Sequence, residues 1–500
     1  MKTILPVTRG VPVACFAVTA ALALALAAPA PSLRADTQYW NRTTTGLVWA
    51  SSSNANWAAS EDGTTYATWG SGNDAVIVTP SAAIAMGGSY VSASGLVIRN
   101  GATLTHTGSG SGGNTGLRIT GANGSSGGGN LTLSENTDST ASLRVFLASH
   151  VAGSVGYNGT ITVNSFSNAN SGLYLGADSK DAAAGAAYTG TDTNTRVVLT
   201  GGALFLNGGL ADNVATVGSL SGSGRVVLGN VFSSNSGTRT LRVEQAADTV
   251  FTGDIGGLTT TQTNNTLALT KAGAGSLTLR ASDASGYAGT TTVGQGTLRL
   301  IGTFGSSNVS GGAVNQGDFV VKSGATLGLD GTFNLGGAKT VTIKEGGILD
   351  AGRMTLDGAG TTTGRGLVFE GEATIRFALG SRETGSLITL VDASMRGQSG
   401  GAADSILFSF TNAGDAQAGE RYDLIRFGAD ASASIVLTEY ALSQESIAAG
   451  WAGTFGYSAD GRTLQFLVTA AGSAIPEPGA AALLLGGAAL GLLAMKNRIR

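Results

Sequence analysis

Proline is nearly missing from this chain. Its seven prolines are Pro6, Pro12, Pro29, Pro31, Pro80, Pro476 and Pro478, so none lies between Pro80 and Pro476. Proline has no N–H to give to a ladder, so its exclusion over that length favours one continuous hydrogen-bonded array over linked domains. Cysteine is scarcer still: Cys15 is the single example, which excludes an intrachain disulfide and a cysteine metal centre. Two histidines, His106 and His150, leave little material for a histidine base. Charged residues are 12% of the chain, about half the usual share. Disorder sustained by strong net charge is therefore excluded as well.

What is abundant is glycine, 79 of 500 residues, together with Val, Leu and Thr. That mixture suits many short strands joined by tight turns. Charge is unevenly placed. Residues 1–35 carry Lys2, Arg9 and Arg34, and residues 479–500 carry Lys496, Arg498 and Arg500, with no acid in either segment. Setting those six aside leaves 23 of 29 basic residues against 32 acidic ones, a net of −9 for the body. A body of that sign is a poor nucleic-acid binder, since such affinity rests on basic contacts to phosphate.

The N-terminus has the order of an export signal: a basic start, the apolar run Val11–Ala28, then small residues. Cleavage is expected after Ala35, leaving Asp36 as the first residue and general secretion machinery and a signal peptidase as partners. Residues 36–83 form a distinct Trp-rich segment with Trp40, Trp49, Trp57 and Trp69. Two readings compete: a plug over the open end of a repeat array, or a platform that stacks on sugar rings.

From residue 84 to 365 short strand signals recur. Thr340-Val341-Thr342-Ile343 alternates strictly, placing Val341 and Ile343 on one face. A Gly-x-x-Leu phrase returns at Gly101–Leu104, Gly201–Leu204, Gly324–Leu327 and Gly346–Leu349. Leu277 to Leu298 is 21 residues and Leu327 to Leu349 is 22, a period that predicts one coil of a β-solenoid. The clearest unit spans 267–300. It contains Leu269, Lys271, Gly273, Gly275, Leu277 and Leu279 at alternate positions, then Tyr287, Gly289, Thr291 and Val293, then Gly296 and Leu298. This unit resembles the autotransporter-associated β-strand repeat of secreted surface proteins. The resemblance implies a right-handed parallel β-helix with an adhesive role. An autotransporter ends in a membrane β-barrel; here an apolar run and Arg500 stand in that place, so delivery through its own barrel is not expected.

Residues 366–473 carry more charge and aromatics, and are expected to be terminal coils or a small β-sandwich cap. Leu367, Phe369, Ile375 and Phe377 are expected on one strand face, with Glu370, Glu372 and Arg376 on the opposite one. Carboxylates two apart on a strand lie about 6.6 Å from each other, a separation glycosidases use. A solvated face is the preferred reading. Gly108–Gly113 matches a dinucleotide-binding spacing, and Ser126 and Ser399 sit in hydrolase-like G-x-S-x-G strings, but all three lie in Gly/Ser-rich sequence without the required strand–helix context. No cofactor or metal is expected, and no enzyme activity.

The last segment, 474–500, runs Pro476-Glu477-Pro478, the uncharged apolar stretch Gly479–Met495, then Lys496, Arg498 and Arg500. Its 17 apolar residues are at the short end for a membrane helix, and the basic end would hold the C-terminus in the cytoplasm. The order resembles the PEP-CTERM sorting signal. That resemblance implies transient anchoring in the inner membrane and cleavage near the Pro-Glu-Pro motif by an exosortase-type enzyme. It also implies a Gram-negative host and exopolysaccharide as a candidate partner. Together these features predict an all-β structural or adhesive surface protein. The alternatives are a β-helical polysaccharide lyase or hydrolase, and a carbohydrate-binding surface protein.

Overall fold

The computed structural model describes residues 36–472 except 51–53, 88–89, 107–113, 136–141, 148–155, 176–193, 207–212, 229–236, 257–264, 282–284, 306–314, 337–338, 359–365, 382–384, 398–403 and 429–434. Among the described residues almost all regular structure is strand; a short helix, Gln444–Ala448, and one 3-10 turn are the exceptions.

Three long sheets carry the chain as a solenoid, each strand pairing in parallel with the strand one coil on. The first sheet runs from Thr37–Trp40 to Asp254–Ile255, the second from Leu47–Trp49 to Arg421–Phe427, and the third from Asn213–Val217 to Ser394–Gly397. Parallel pairing extends on both sides of the expected 84–365 span: Thr37–Trp40 already pairs with Asp74–Ile77, and Leu387–Val391 pairs with Arg421–Phe427.

Side-chain alternation explains why these segments wind in this way. In Thr340–Ile343 the two threonines are part-exposed while Val341 and Ile343 are wholly buried. The inward positions of successive coils then stack. Leu277 pairs with Leu298, Leu298 with Leu327, Leu327 with Leu349, and Leu349 with Ile375. All five are fully buried, and each such side chain contributes about 1.5–3 kcal/mol from apolar burial. The 21- and 22-residue periods of the sequence are thus single coils. Other coils are longer: Leu133 pairs with Val163, and Val163 with Leu199. One recurrence differs from expectation. Gly201–Leu204 leads into the first sheet, through Ala203–Leu206, whereas the other phrases lead into the second.

Aromatic clusters occupy both ends of the core. At the N-terminal end the four tryptophans pack together. At the C-terminal end Phe408, Phe410, Tyr440, Trp451, Phe455 and Phe466 pack with centroids 4.6–6.5 Å apart. There the pairing turns antiparallel, Arg421–Phe427 to Thr463–Ala470 and on to Ala452–Tyr457, so the last coil is covered instead of offering a bare parallel edge.

Candidate functional site

Near that C-terminal end the solenoid wall carries a hollow of about 440 Å³, bordered by Arg353, Arg421, Tyr422, Asp423, Arg426 and Gln465. Its geometry depends on a β-bulge. The strand Arg421–Phe427 shifts register against Thr463–Ala470 between Asp423 and Ile425, and Leu424 and Ile425 are both fully buried. Without the extra residue, strict alternation would turn Arg426 into the core; with it, Arg421, Asp423 and Arg426 share the outer face. Arg426 Nη2 donates to Asp423 Oδ2 at 2.8 Å, and Gln465 Nε2 donates to Asp423 Oδ1 at 2.8 Å. Arg353 Nη1 donates to the Gly385 carbonyl at 2.9 Å. Asp423 is held by two donors and no histidine lines the hollow, so the arrangement suits binding of an anion more than proton transfer.

The repeat unit identified in the sequence forms the middle of the rod. Asn265–Ala272 lies in the third sheet, Ser276–Arg280 in the second, Thr291–Val293 in the third and Gly296–Phe304 in the second. Leu269, Leu277, Leu279, Val293 and Leu298 point into the core. Lys271 does so too: it takes the inward position between Val243 and Val293 and is fully buried. Its ammonium donates to the carbonyls of Ala272 (2.8 Å), Gly273 (2.7 Å) and Gln295 (3.2 Å), satisfying the turn where the chain changes sheet. Residues 269–300 match the passenger-associated-transport-repeat family. A comparison with curated proteins gave no match.

The residues shared with the passenger-associated-transport-repeat therefore have structural work. Tyr287 is buried, and its hydroxyl lies 2.8 Å from Thr291 Oγ1. Burial pushes its phenol up to about 12, against the opposing effect of the Thr291 hydrogen bond. At Gly289 the neighbouring coil is so close that a Cβ would collide with the Leu267 carbonyl. Lys271 is lowered to about 8, mainly because burial strips water from the ammonium, with Glu244 and Asp248 opposing the shift. The sign follows from linkage: above about pH 8 the unfolded chain holds a proton on this lysine that the folded chain has lost. Stability is therefore expected to rise between about pH 8 and 9.5, below the ordinary tyrosine range, by at most about 2 kcal/mol. Thermal unfolding over that range checks it; Lys271→Met removes the rise, and an unchanged rise in that variant would exclude this lysine as its source.

The tryptophan cluster lies inside. Trp40, Trp49, Trp57 and Trp69 are 0–3% exposed. Their ring centroids are 4.6–5.3 Å apart, and Trp69 Nε1 donates to the Ser92 carbonyl at 3.1 Å. Rings so packed present no face for a sugar; they close the end of the core.

The carboxylate pair is a correction. Leu367 and Phe369 belong to Gly366–Phe369 of the third sheet, and Ile375, Arg376 and Phe377 to Ala373–Leu379 of the second. Glu370 and Glu372 occupy the corner between these strands, so they share no strand face with Arg376. Glu370 instead pairs with Lys344 at 2.6 Å. The corner restarts the inside–outside pattern, so the alternation of Gly366–Phe369 does not carry across to Ala373–Leu379.

Among the described residues no group of three or more His, Cys, Asp or Glu could hold a metal ion. No helix among them is long and apolar enough to cross a membrane. The segment 1–35 ending at Ala35, the Gly108–Gly113 string, Ser399, and the tail with Pro476, Glu477, Pro478, Gly479, Met495, Lys496, Arg498 and Arg500 all lie outside the described residues, as does the side chain of Ser126. The hollow was missed in the sequence because its residues come from three separate stretches, and the bulge that gathers them leaves only a weak trace: the adjacent pair Leu424-Ile425 breaking an alternating strand.

Proposed function

We propose that this chain is an exported structural or adhesive β-solenoid of the cell surface or extracellular matrix, without enzyme activity of its own. The observation that carries this reading is the passenger-associated-transport-repeat match at 269–300, embedded in a continuous run of parallel coils. The apolar N-terminal run supports export, and the Pro476–Arg500 order supports sorting by a temporary inner-membrane anchor that an exosortase-type enzyme removes. Capped ends and a core of stacked aliphatic residues make a self-sufficient rod, as a surface spacer or adhesin requires.

Mass spectrometry of the protein released from the surface of a Gram-negative host tests both ends. The expected species begins at Asp36 and ends close to Pro476–Pro478. A released species still carrying Arg500 would sink the processing step, and retention of the whole chain in the cytoplasm would sink export. Appearance of new reducing ends or unsaturated products from a panel of polysaccharides would instead favour the lyase or hydrolase alternative.

A further inference from the structure

We propose that a threonine-framed hollow on the outer face of the third sheet binds an extended neutral polysaccharide, with one sugar ring lying over Ala268. Alternation within the repeat builds this hollow. In Asn265–Ala272 the side chains of Leu267, Leu269 and Lys271 are buried in the core, so Thr266, Ala268 and Thr270 face outward. Thr240 pairs with Ala268 from the coil before. Thr290 flanks it from the coil after, where its carbonyl accepts from the Leu269 amide at 3.2 Å. These five residues line a hollow of about 450 Å³. Thr266 and Thr270 stand four residues apart, about 13 Å, and Thr240 and Thr290 two strands apart, about 10 Å. Four hydroxyls thus frame a floor that carries one methyl group. Gly289 also borders the hollow and admits no side chain, because a Cβ there would collide with the Leu267 carbonyl.

The chemistry of the frame selects the ligand. The hydroxyls of Thr240, Thr266, Thr270 and Thr290 have no hydrogen-bond partner among the described residues. Each can donate and accept, which matches the hydroxyls around a sugar ring. The methyl groups of the same threonines and of Ala268 offer apolar contact to the C–H face of that ring. Charge decides between neutral and acidic sugars. Lys339 is the charged side chain at the border, and its ammonium is engaged by Asp318 at 2.9 Å. With a body of net charge −9 around it, the hollow repels an anionic polymer. The neighbouring row explains why a polymer fits better than a single sugar. Thr270 pairs with Thr292, Thr292 with Val320, and Val320 with Thr342. This uncharged, β-branched row runs along the rod for about 14 Å, so a bound chain continues past the hollow.

The inference rests on the surface-protein reading only for access to extracellular polysaccharide. Binding is measured on the purified full-length protein, independently of secretion. Failure to bind therefore leaves export standing, and failure of export leaves the hollow standing. Titration calorimetry is run with cellohexaose, maltohexaose and mannohexaose as neutral probes and trigalacturonate as the charged one. At least one neutral probe is expected to bind saturably, with little change as salt is raised, and trigalacturonate is expected not to bind. Thr266→Val with Thr270→Val keeps the shape of both side chains and removes two hydroxyls, so binding is expected to weaken by about tenfold with unchanged thermal unfolding. Thr132→Val with Thr162→Val, a pair in register on the second sheet, is expected to leave binding as in wild type. The proposal is overturned if no neutral probe binds, if trigalacturonate binds as tightly, or if the two double variants bind alike. Self-association of the wild-type protein that the Thr266/Thr270 variant abolishes would also overturn it, since a second copy would then occupy this face.

Discussion

Replacing Trp57 by alanine is expected to loosen the N-terminal coils by about 3–5 kcal/mol, the usual cost of emptying a buried large aromatic site. Trp57 is 1% exposed and touches all three of its partners: ring centroids lie 5.3 Å from Trp40, 4.7 Å from Trp49 and 4.6 Å from Trp69. Its removal leaves the other rings without their common neighbour and opens the end of the core to water. The loss is expected to stay local, because each coil of a solenoid is stabilised chiefly by the coils next to it. A single unfolding midpoint would blur this, since long repeat arrays need not unfold as one unit. Amide hydrogen exchange is the suitable measurement. Protection is expected to fall within residues 37–98 and to be unchanged within 373–427. Equal loss along the whole rod, or none at the N-terminal end, would show that the cluster is not a local cap.

Gly296→Ala is the second substitution with a large expected cost, about 2–6 kcal/mol, from left-handed strain added to overpacking. Gly296 has a φ of +65°, and a Cβ placed there would lie 2.5 Å from the carbonyl oxygens of both Gly273 and Gly275 in the coil below. Two repeat glycines thus make room for a third one coil on. Gly324→Ala separates the two contributions. Its φ is +72° with nothing within 4 Å of the added methyl, so only the strain of about 1–2 kcal/mol is expected. Exchange protection of the amides in 265–304 compares the two variants. If both lose the same protection, coil-to-coil contact is not what the repeat spacing encodes.

The Lys271 result bears on how the repeat is read. In the sequence this lysine interrupts the apolar alternation of the repeat unit. In the fold its stem fills an inward position while its ammonium closes three carbonyls at a corner. Burying the charge is costly, and those hydrogen bonds offset the cost. A polar residue at an apolar repeat position, two before a glycine, is therefore a corner signal.

The sequence alone determined the class of the body and its coil length. Alternation in stretches such as Thr340–Ile343, the 21-residue step from Leu277 to Leu298 and the absence of proline between Pro80 and Pro476 all report local backbone requirements, which a linear pattern records directly. The repeat unit was legible for the same reason. Only the tertiary structure decided where corners fall. Alternation looks the same on either side of a turn, so Glu370 and Glu372 looked like partners of Arg376, and Gly201–Leu204 looked like the other phrases. It also decided that the four tryptophans point inward, because an aromatic cluster in sequence carries no sign of which side is water. The arginine hollow is the clearest case. One extra residue at Leu424-Ile425 turns Arg426 outward, and pairing across coils brings Arg353 and Gln465 to it. That side is set by the register of neighbouring strands, a relation between distant segments that no local pattern of residues contains.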